Sequence, residues 1–189
     1  MKFTILRRMK VNDYITYVGN EEDRPFLKQP LFDVNMRLFA SNPSYRRLVK
    51  QCCGLIRVLA LTKFEDYKKN HGISGANVAI PFNIIGIVRN RGLMNEHCQV
   101  MINPKITAYY GPQVESQSNC GSLRLPDPIT ISRPEFIDLE WFDENGHRCA
   151  KSGIGRGDQS LTIQHEVDHN LGILITDNCR RSSTPTEIV

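Results

Sequence analysis

Long apolar runs are missing from this 189-residue sequence. The most apolar segment, residues 78–88, is interrupted by Pro81 and Asn83, and it falls short of the roughly 20 residues that a membrane-spanning helix requires. A strong excess of one charge is also missing, since 24 lysines and arginines stand against 20 aspartates and glutamates. That balance is too even to indicate nucleic-acid binding. The composition therefore predicts a soluble globular chain with no direct nucleic-acid partner and no membrane partner.

The six cysteines lack the spacing of a disulfide framework. They form no C-x-x-C pair, and Cys52 and Cys53 are adjacent. A chain of this length buries enough apolar surface to fold without cross-links. The N-terminus is basic but has no apolar segment of secretory length. We therefore expect free thiols in a reducing compartment, cytoplasmic or organellar, where one thiol can serve as a metal ligand.

Hydrophobic periodicity predicts an α+β fold. Apolar residues between positions 48 and 60 recur at three- and four-residue spacing, which predicts a helix from about Pro43, with Asn42 or Ser44 as its N-cap. Residues 98–103 and 136–142 are typical of strands, the first ending at Pro104. A second helix is expected over residues 158–171, closed by Gly172. Strands between one early and one late helix indicate the α+β class.

The strongest functional signal is the segment His165-Glu166-Val167-Asp168-His169. Two histidines at positions i and i+4 lie one turn apart on the same helix face, so both can bind one ion. Glu166 then lies beside the ion, where it can exchange a proton with water. The alternative is a surface helix with solvated histidines and acids. The amphipathic pattern around the motif favours the metal site.

A catalytic metal site needs a third protein ligand and an open position. No histidine follows His169, and the only later glutamate is Glu187, close to the C-terminus. We therefore expect the third ligand upstream, where Cys120 lies in a bend of small residues. An ordinary buried thiol is the alternative interpretation of Cys120, and spacing alone leaves both open.

The order of these segments resembles the peptide deformylase family, whose members carry the motifs G-x-G-x-A-A-x-Q, E-G-C-x-S and H-E-x-D-H. The third motif is complete at residues 165–169, and its internal Asp168 is informative because general H-E-x-x-H proteases do not require it. The second is kept at Cys120 and Ser122, with Ser118 and Asn119 in place of the glutamate and glycine. The resemblance implies mostly antiparallel strands around a C-terminal metal-binding helix, with one N-terminal helix. It covers residues 24–178, leaving residues 1–23 as an N-terminal extension with a strand and residues 179–189 as a flexible tail.

The first motif is degenerate, and two registers stay open. Gly75 to Phe82 fits the pattern but puts Phe82 where the family has glutamine, whereas a register from Gly72 ends at Ala79. In the family this glutamine donates to the oxyanion, and loss of such a donor typically costs about 100- to 1000-fold in turnover. On the first register, Gly75 and Asn77 are the predicted substrate-binding residues.

A second departure concerns the motif glutamate, which the family pairs with an arginine a few residues beyond the cysteine. Ser118 stands at the glutamate position, and Pro128 and Ile129 stand near the arginine position. Both partners are therefore expected to be lost together, which leaves no charge unpaired.

The resemblance implies hydrolysis of the formyl amide of N-formylmethionyl peptides, a step of protein biosynthesis. Cys120, His165 and His169 would hold one divalent ion, with Fe²⁺ common in the family and Zn²⁺, Ni²⁺ or Co²⁺ also accepted. Glu166 would transfer the proton, and the backbone N–H of Gly121 would stabilise the oxyanion. Two alternatives remain: a related metal amidohydrolase with altered acyl or peptide specificity, and a metal-bound peptide-binding protein without turnover.

N-formylated nascent peptides are the partners that this activity implies. The basic cluster of Arg46, Arg47 and Lys50 is interpreted as the solvated face of the first helix. A deformylase that meets nascent chains on a ribosome could use the same cluster, so this alternative stays open.

Overall fold

The computed structural model describes residues 27–61, 72–90, 92–118, 120–123 and 127–177. Its helices are α1 (Met36–Ser41), α2 (Pro43–Leu61) and α3 (Ser160–Asn170), and its strands are β1 (Gly72–Ser74), β2 (Ile84–Arg89), β3 (His97–Ser118), β4 (Ile129–Phe142) and β5 (Arg148–Ile154). Two 3₁₀ turns, Ala76–Val78 and Arg156–Asp158, accompany them. The predicted α+β class is confirmed. The predicted extension over residues 1–23 and the tail over residues 179–189 lie outside the described residues.

The five strands form one antiparallel sheet in the order β1-β2-β3-β4-β5. The longest ladder joins β3 to β4 and runs from the pair Ile102–Phe142 to the pair Ser118–Ile129. The prediction that Pro104 ends its strand is wrong, because β3 continues to Ser118. The proline lies at a register shift between Ile102 and Lys105, where the ladder tolerates a residue that has no N–H to donate.

Helix α2 begins where the sequence predicts. The side chain of Asn42 accepts a hydrogen bond from the backbone N–H of Tyr45 at 3.0 Å, and Pro43 occupies the first helical position. The expectation of one N-terminal helix is incomplete, because the short α1 precedes α2. Arg46 joins the two helices by donating to the backbone carbonyls of Phe39 and Ala40 at the end of α1.

Strand β2 lies between α2 and α3. Ile84 and Val88 pack into the apolar cluster that includes α2, whereas Ile85 and Ile87 pack with Ile163 of α3. Side chains alternate across a strand, so a strand that is covered on both faces is apolar at nearly every position. This arrangement holds α3 against the middle of the sheet.

Helix α3 is shorter than the predicted range of residues 158–171, but it ends as expected. It is closed by Gly172, which has a φ of 75°, the left-handed conformation that a helix C-cap favours. The backbone N–H of Gly172 bonds to the carbonyl of His169, and that of Ile173 bonds to the carbonyl of Asp168. Within the described residues, no helix is both long and apolar enough to cross a membrane.

Candidate metal centre

The structure brings the three predicted metal ligands together. The Sγ atom of Cys120 lies 3.2 Å from Nε2 of His169, and that nitrogen lies 3.2 Å from Nε2 of His165. All three atoms lie within 4.8 Å of one another. A tetrahedral ion with nitrogen at about 2.1 Å and sulfur at about 2.3 Å separates its ligand atoms by roughly 3.4–3.6 Å. The spacing therefore fits a single ion.

Two separate parts of the fold supply these ligands. His165 and His169 project from one face of α3, one turn apart, with their rings at 82° to each other. Cys120 lies in the turn after β3, where its carbonyl accepts from the N–H of Leu123 at 3.1 Å. Cys120 and His169 are each only 1% exposed, so the convergence occurs inside the protein.

Polar side chains of α3 fix the helix to the sheet. Ser160 donates to the carbonyl of Glu135 at 2.7 Å, and Gln164 donates to the carbonyl of Pro134 at 2.9 Å, so both bonds end on β4. At the other end of the helix, Asn170 donates to the carbonyl of Ile84 at 3.2 Å. These bonds hold the helix, and with it both histidines, against β2 and β4.

Burial keeps both imidazoles neutral and the thiol protonated while no ion is bound. It lowers the pKa of His169 to about 4 and that of His165 well below its usual value. Burial also raises the pKa of Cys120 to about 11. Neutral imidazoles are ready to bind a metal, whereas the thiol must release a proton to do so.

Glu166 lies between the two histidines in sequence and is 5% exposed. Within the described residues, its Oε2 atom has no hydrogen-bond partner. Burial raises the pKa of its carboxyl group to about 8, despite the opposing charge of Arg133. A buried carboxylate without a protein partner, beside a cluster of metal ligands, is placed to handle a proton.

Gly72 makes room for this carboxylate. A Cβ atom on Gly72 would lie 2.7 Å from Cγ of Glu166 and 2.9 Å from Cγ2 of Thr162. Only a residue without a side chain fits so closely against α3. Gly75 is crowded as tightly, since its Cβ would lie 2.5 Å from the carbonyl oxygen of Phe82, so the need for glycine does not choose between the two motif registers; of the two glycines, Gly72 is the one that lies against Glu166.

An ion pair that the sequence analysis missed lies beneath the site. Nη1 of Arg133, on β4, contacts Oδ2 of Asp168 at 2.6 Å, and each side chain is 3% exposed. Ser118 stands opposite Ile129 in the β3–β4 ladder, and neither side chain carries a charge, so the Arg133–Asp168 pair is separate from the glutamate–arginine pair that the family motif predicts. Asp168 supplies the negative charge that a buried guanidinium requires. The position of Asp168 inside the H-E-x-D-H motif was the sequence feature that could have revealed this ion pair.

The two predicted substrate-binding residues lie in the loop between β1 and β2. Gly75 donates its N–H to the carbonyl of Ile84, and its own carbonyl accepts from Val78 and Ile80. The Asn77 side chain accepts from Ser74 and donates to the hydroxyl of Ser122. These contacts shape the loop, and substrate binding by either residue stays a prediction.

Neither register of the first motif places a carboxamide at the position of the family's glutamine. Phe82 packs edge-on against Tyr45 of α2, with ring centroids 6.0 Å apart, so its side chain belongs to the core on the α2 side. Ala79 is exposed, with a φ of 53°.

Comparison with known proteins identifies the family. The model of the family described as polypeptide deformylase matches residues 34–184. A peptide deformylase from Chloroflexus aurantiacus is 30% identical over 166 residues, which cover 76% of this chain and 86% of that protein. One from Karelsulcia muelleri is 33% identical over 111 residues, covering 58% of this chain, and the chain spans 57% of that relative's length.

A solved structure shows the same fold. It is a class I type b peptide deformylase from Acinetobacter baumannii with Met-Ala-Ser bound, and it superposes with a TM-score of 0.63 at 22% identity, covering 85% of this chain and 94% of that chain. The family match, the 30% identical relative and the shared fold agree with the cluster that Cys120 forms with the two histidines of the H-E-x-D-H motif on α3. The chain belongs to the polypeptide deformylase family.

Proposed function

We propose that this protein hydrolyses the formyl amide of N-formylmethionyl peptides and releases formate and a free amino terminus. The observation that carries the proposal is the convergence of Cys120 Sγ with the Nε2 atoms of His165 and His169, beside the buried and unpartnered carboxylate of Glu166 in the described structure. Membership of a metal-dependent family supports it.

The site would hold one divalent ion, bound by Cys120 as its thiolate and by the two histidines. A thiolate with two imidazoles suits Fe²⁺, Zn²⁺, Ni²⁺ and Co²⁺, and we propose Fe²⁺ as the native ion from the family resemblance. When bound, the ion supplies Lewis acidity that activates water and polarises the formyl carbonyl.

Glu166 would move the proton. As carboxylate it accepts a proton from the attacking water, and as the acid it then delivers that proton to the nitrogen of the leaving amine. The C–N bond of the formyl amide breaks, the carbonyl carbon leaves as formate, and Glu166 is regenerated. Its buried position excludes bulk water from the proton transfer, and a pKa raised by burial suits a group that must both accept and donate.

The backbone N–H of Gly121 is the proposed donor to the oxyanion. Gly121 follows buried Cys120 directly and is itself exposed, so an approaching carbonyl can reach its backbone. The peptide would pair in extended form with β1, which is an edge strand of the sheet and packs against α3. The Acinetobacter baumannii relative with bound Met-Ala-Ser supports a peptide of this kind.

The proposed setting is a reducing compartment, cytoplasmic or organellar, where N-formylated chains emerge from ribosomes. The five described cysteines are all free, which suits such a compartment. Arg47 and Lys50 of α2 are exposed and have no ion-pair partner among the described residues, so they are the proposed contact with the ribosome.

Formate release tests the activity. Iron-loaded protein, kept anaerobic, is incubated with formyl-Met-Ala-Ser, and formate and the free amino terminus are both measured. The matched control is Glu166→Gln, which keeps the size of the side chain and all three metal ligands. We expect formate from the unsubstituted protein and almost none from the variant at equal metal content. Metal-loaded protein that releases no formate with iron, nickel or zinc would overturn the proposal and favour peptide binding without turnover.

A further inference from the structure

The segment that forms helices α1 and α2 carries charge of one sign only. Five of the 24 lysines and arginines of the chain fall within residues 34–61, and none of its 20 aspartates and glutamates does. The even balance of the whole chain, which argues against a nucleic-acid partner, therefore hides a local excess of positive charge. Cations that are clustered on one part of a surface are typical of proteins that bind nucleic acid.

Three of these cations lie along one groove on α2. Arg46, Arg47 and Lys50 line an open groove of about 390 Å³ together with Pro43 and Gln51. Arg47 and Lys50 are exposed, and neither side chain has a hydrogen-bond or ion-pair partner in the described part of the chain. Both are therefore available to a partner outside the protein.

Arg46 forms a fixed wall of this groove. Its Nε atom donates to the carbonyl of Phe39 at 2.9 Å, and its Nη2 atom donates to the carbonyl of Ala40 at 2.8 Å. A guanidinium group has five N–H donors, so further donors remain for an anion. Because these two bonds already hold the side chain in place, it loses little conformational entropy when an anion binds.

Helix stability does not explain this arrangement. Arg46 and Lys50 are four residues apart on α2, and Arg47 and Lys50 are three apart. Like charges at these spacings repel each other across a helix surface. The first turn of α2 contains no acid that would offset them. An anionic partner that neutralises the cluster explains why it is present.

We propose that this groove binds the phosphate backbone of RNA, with Arg46, Arg47 and Lys50 each contacting one phosphate group. The inference deepens the proposed function and rests on it for the setting, because RNA is the polyanion that a protein meets at the ribosome. Arginine pairs with phosphate through two parallel N–H groups. Arg46 and Lys50 are offset by roughly 6 Å along the helix axis, which is close to the spacing of successive phosphates on an RNA strand.

The residues that line the groove favour RNA over a membrane surface. A helix that binds lipid has large apolar side chains on the face that enters the membrane, next to its cations. The groove instead has the carboxamide of Gln51 beside the cations, and Pro43 is the only apolar residue among those that line it in the described structure. An anionic membrane is the alternative that the experiment must distinguish.

The salt dependence of RNA binding tests the proposal. Binding of the whole protein to a short fluorescein-labelled RNA duplex is followed by fluorescence anisotropy between about 50 and 200 mM salt. Each phosphate contact contributes about −0.9 to the slope of log K against log salt concentration, so three contacts predict a slope of about −3. Arg47→Gln/Lys50→Gln should reduce the slope to about −1 and weaken binding about 20-fold at 200 mM salt. Arg46 is left unchanged because it also holds α1.

Lys105→Gln/Arg156→Gln is the matched control. Both residues are exposed, and they lie outside the groove, on β3 and in the 3₁₀ turn before α3. This double variant loses the same charge as the groove variant, but it should keep the slope of about −3. Equal slopes in the two double variants would refute the proposal, because the net charge alone would then explain the binding.

The remaining results also decide the matter. An unsubstituted protein that does not bind the duplex at about 50 mM salt would contradict the proposal. So would tighter binding to vesicles of phosphatidylserine and phosphatidylcholine that Arg47→Gln/Lys50→Gln abolishes, which would assign the groove to a membrane. Formate release is measured separately. Protein that shows the expected slopes but releases no formate supports the RNA surface and overturns the proposed activity, whereas formate release without RNA binding does the reverse. Thermal unfolding shows whether both double variants are folded.

Discussion

Replacement of Gly72 by alanine adds one methyl group beside Glu166. The new Cβ would lie 2.7 Å from Cγ and 2.8 Å from Oε1 of Glu166, and 2.9 Å from Cγ2 of Thr162. Non-bonded carbon atoms are most stable about 3.5–4.0 Å apart, so the carboxylate must move by about 1 Å. A displacement of this size typically costs about 100-fold in rate when it affects a reacting group. We expect kcat for formate release to fall about 100-fold, with metal content unchanged.

The matched control is Gly86→Ala on β2. Its Cβ would lie 2.6 Å from Cγ2 of Ile56 and 2.8 Å from Sγ of Cys98, which is equal crowding without a proposed catalytic group nearby. Both variants should lose about 1–3 kcal/mol of unfolding free energy in urea, but only Gly72→Ala should lose kcat per bound metal. Equal kcat in the two metal-loaded variants would refute the placement of Glu166.

Three further predictions concern the oxyanion, a buried charge and pH. Ala79→Gln should raise kcat and Phe82→Gln should not, because the second side chain is in the α2 core; the reverse result would favour the other motif register. Asp168→Asn should cost about 3–5 kcal/mol in urea denaturation, because it leaves the Arg133 guanidinium buried without a counter-charge, and a loss below 1 kcal/mol would contradict this reasoning. In metal-free protein the pKa of Glu166 is about 8 when folded, against its ordinary value of 4.5. The folded state then holds a proton that the unfolded state has lost, so Glu166 contributes a fall in unfolding free energy of up to about 1.4 kcal/mol per pH unit as pH rises between these values. Below the ordinary histidine pKa of 6.5 the lowered pKa values of His165 and His169 oppose this contribution, so the net fall should appear between pH 6.5 and about 8. Glu166→Gln should remove that slope, and an unchanged slope would show that another group is responsible.

The sequence predicted the features that local spacing determines. The two histidines of α3 share a helix face because they are four residues apart, and Gly172 ends the helix because it can adopt a positive φ. Cys120 is different, since nothing local brings a distant turn to α3. Its place in the cluster was predicted from the family motif, and the structure shows the convergence.

Features that depend on tertiary contacts were missed. The Arg133–Asp168 pair joins β4 to α3, and neither residue indicates its partner in sequence. Helix α1 has six residues, too few for a hydrophobic period, and only the cap by Asn35 marks its start. β3 passes Pro104 because the neighbouring strand shifts register there, and a proline in a sequence does not reveal whether its partner strand can adjust.

X-ray absorption at the metal edge of the iron-loaded protein tests the central claim most directly. We expect one sulfur ligand at about 2.3 Å from the metal, together with nitrogen ligands at about 2.0–2.2 Å. If the Cys120→Ala variant still binds metal, its spectrum should lack the sulfur ligand. The spectrum of Glu166→Gln should keep it. A spectrum of the unsubstituted protein with nitrogen and oxygen ligands alone would contradict the account.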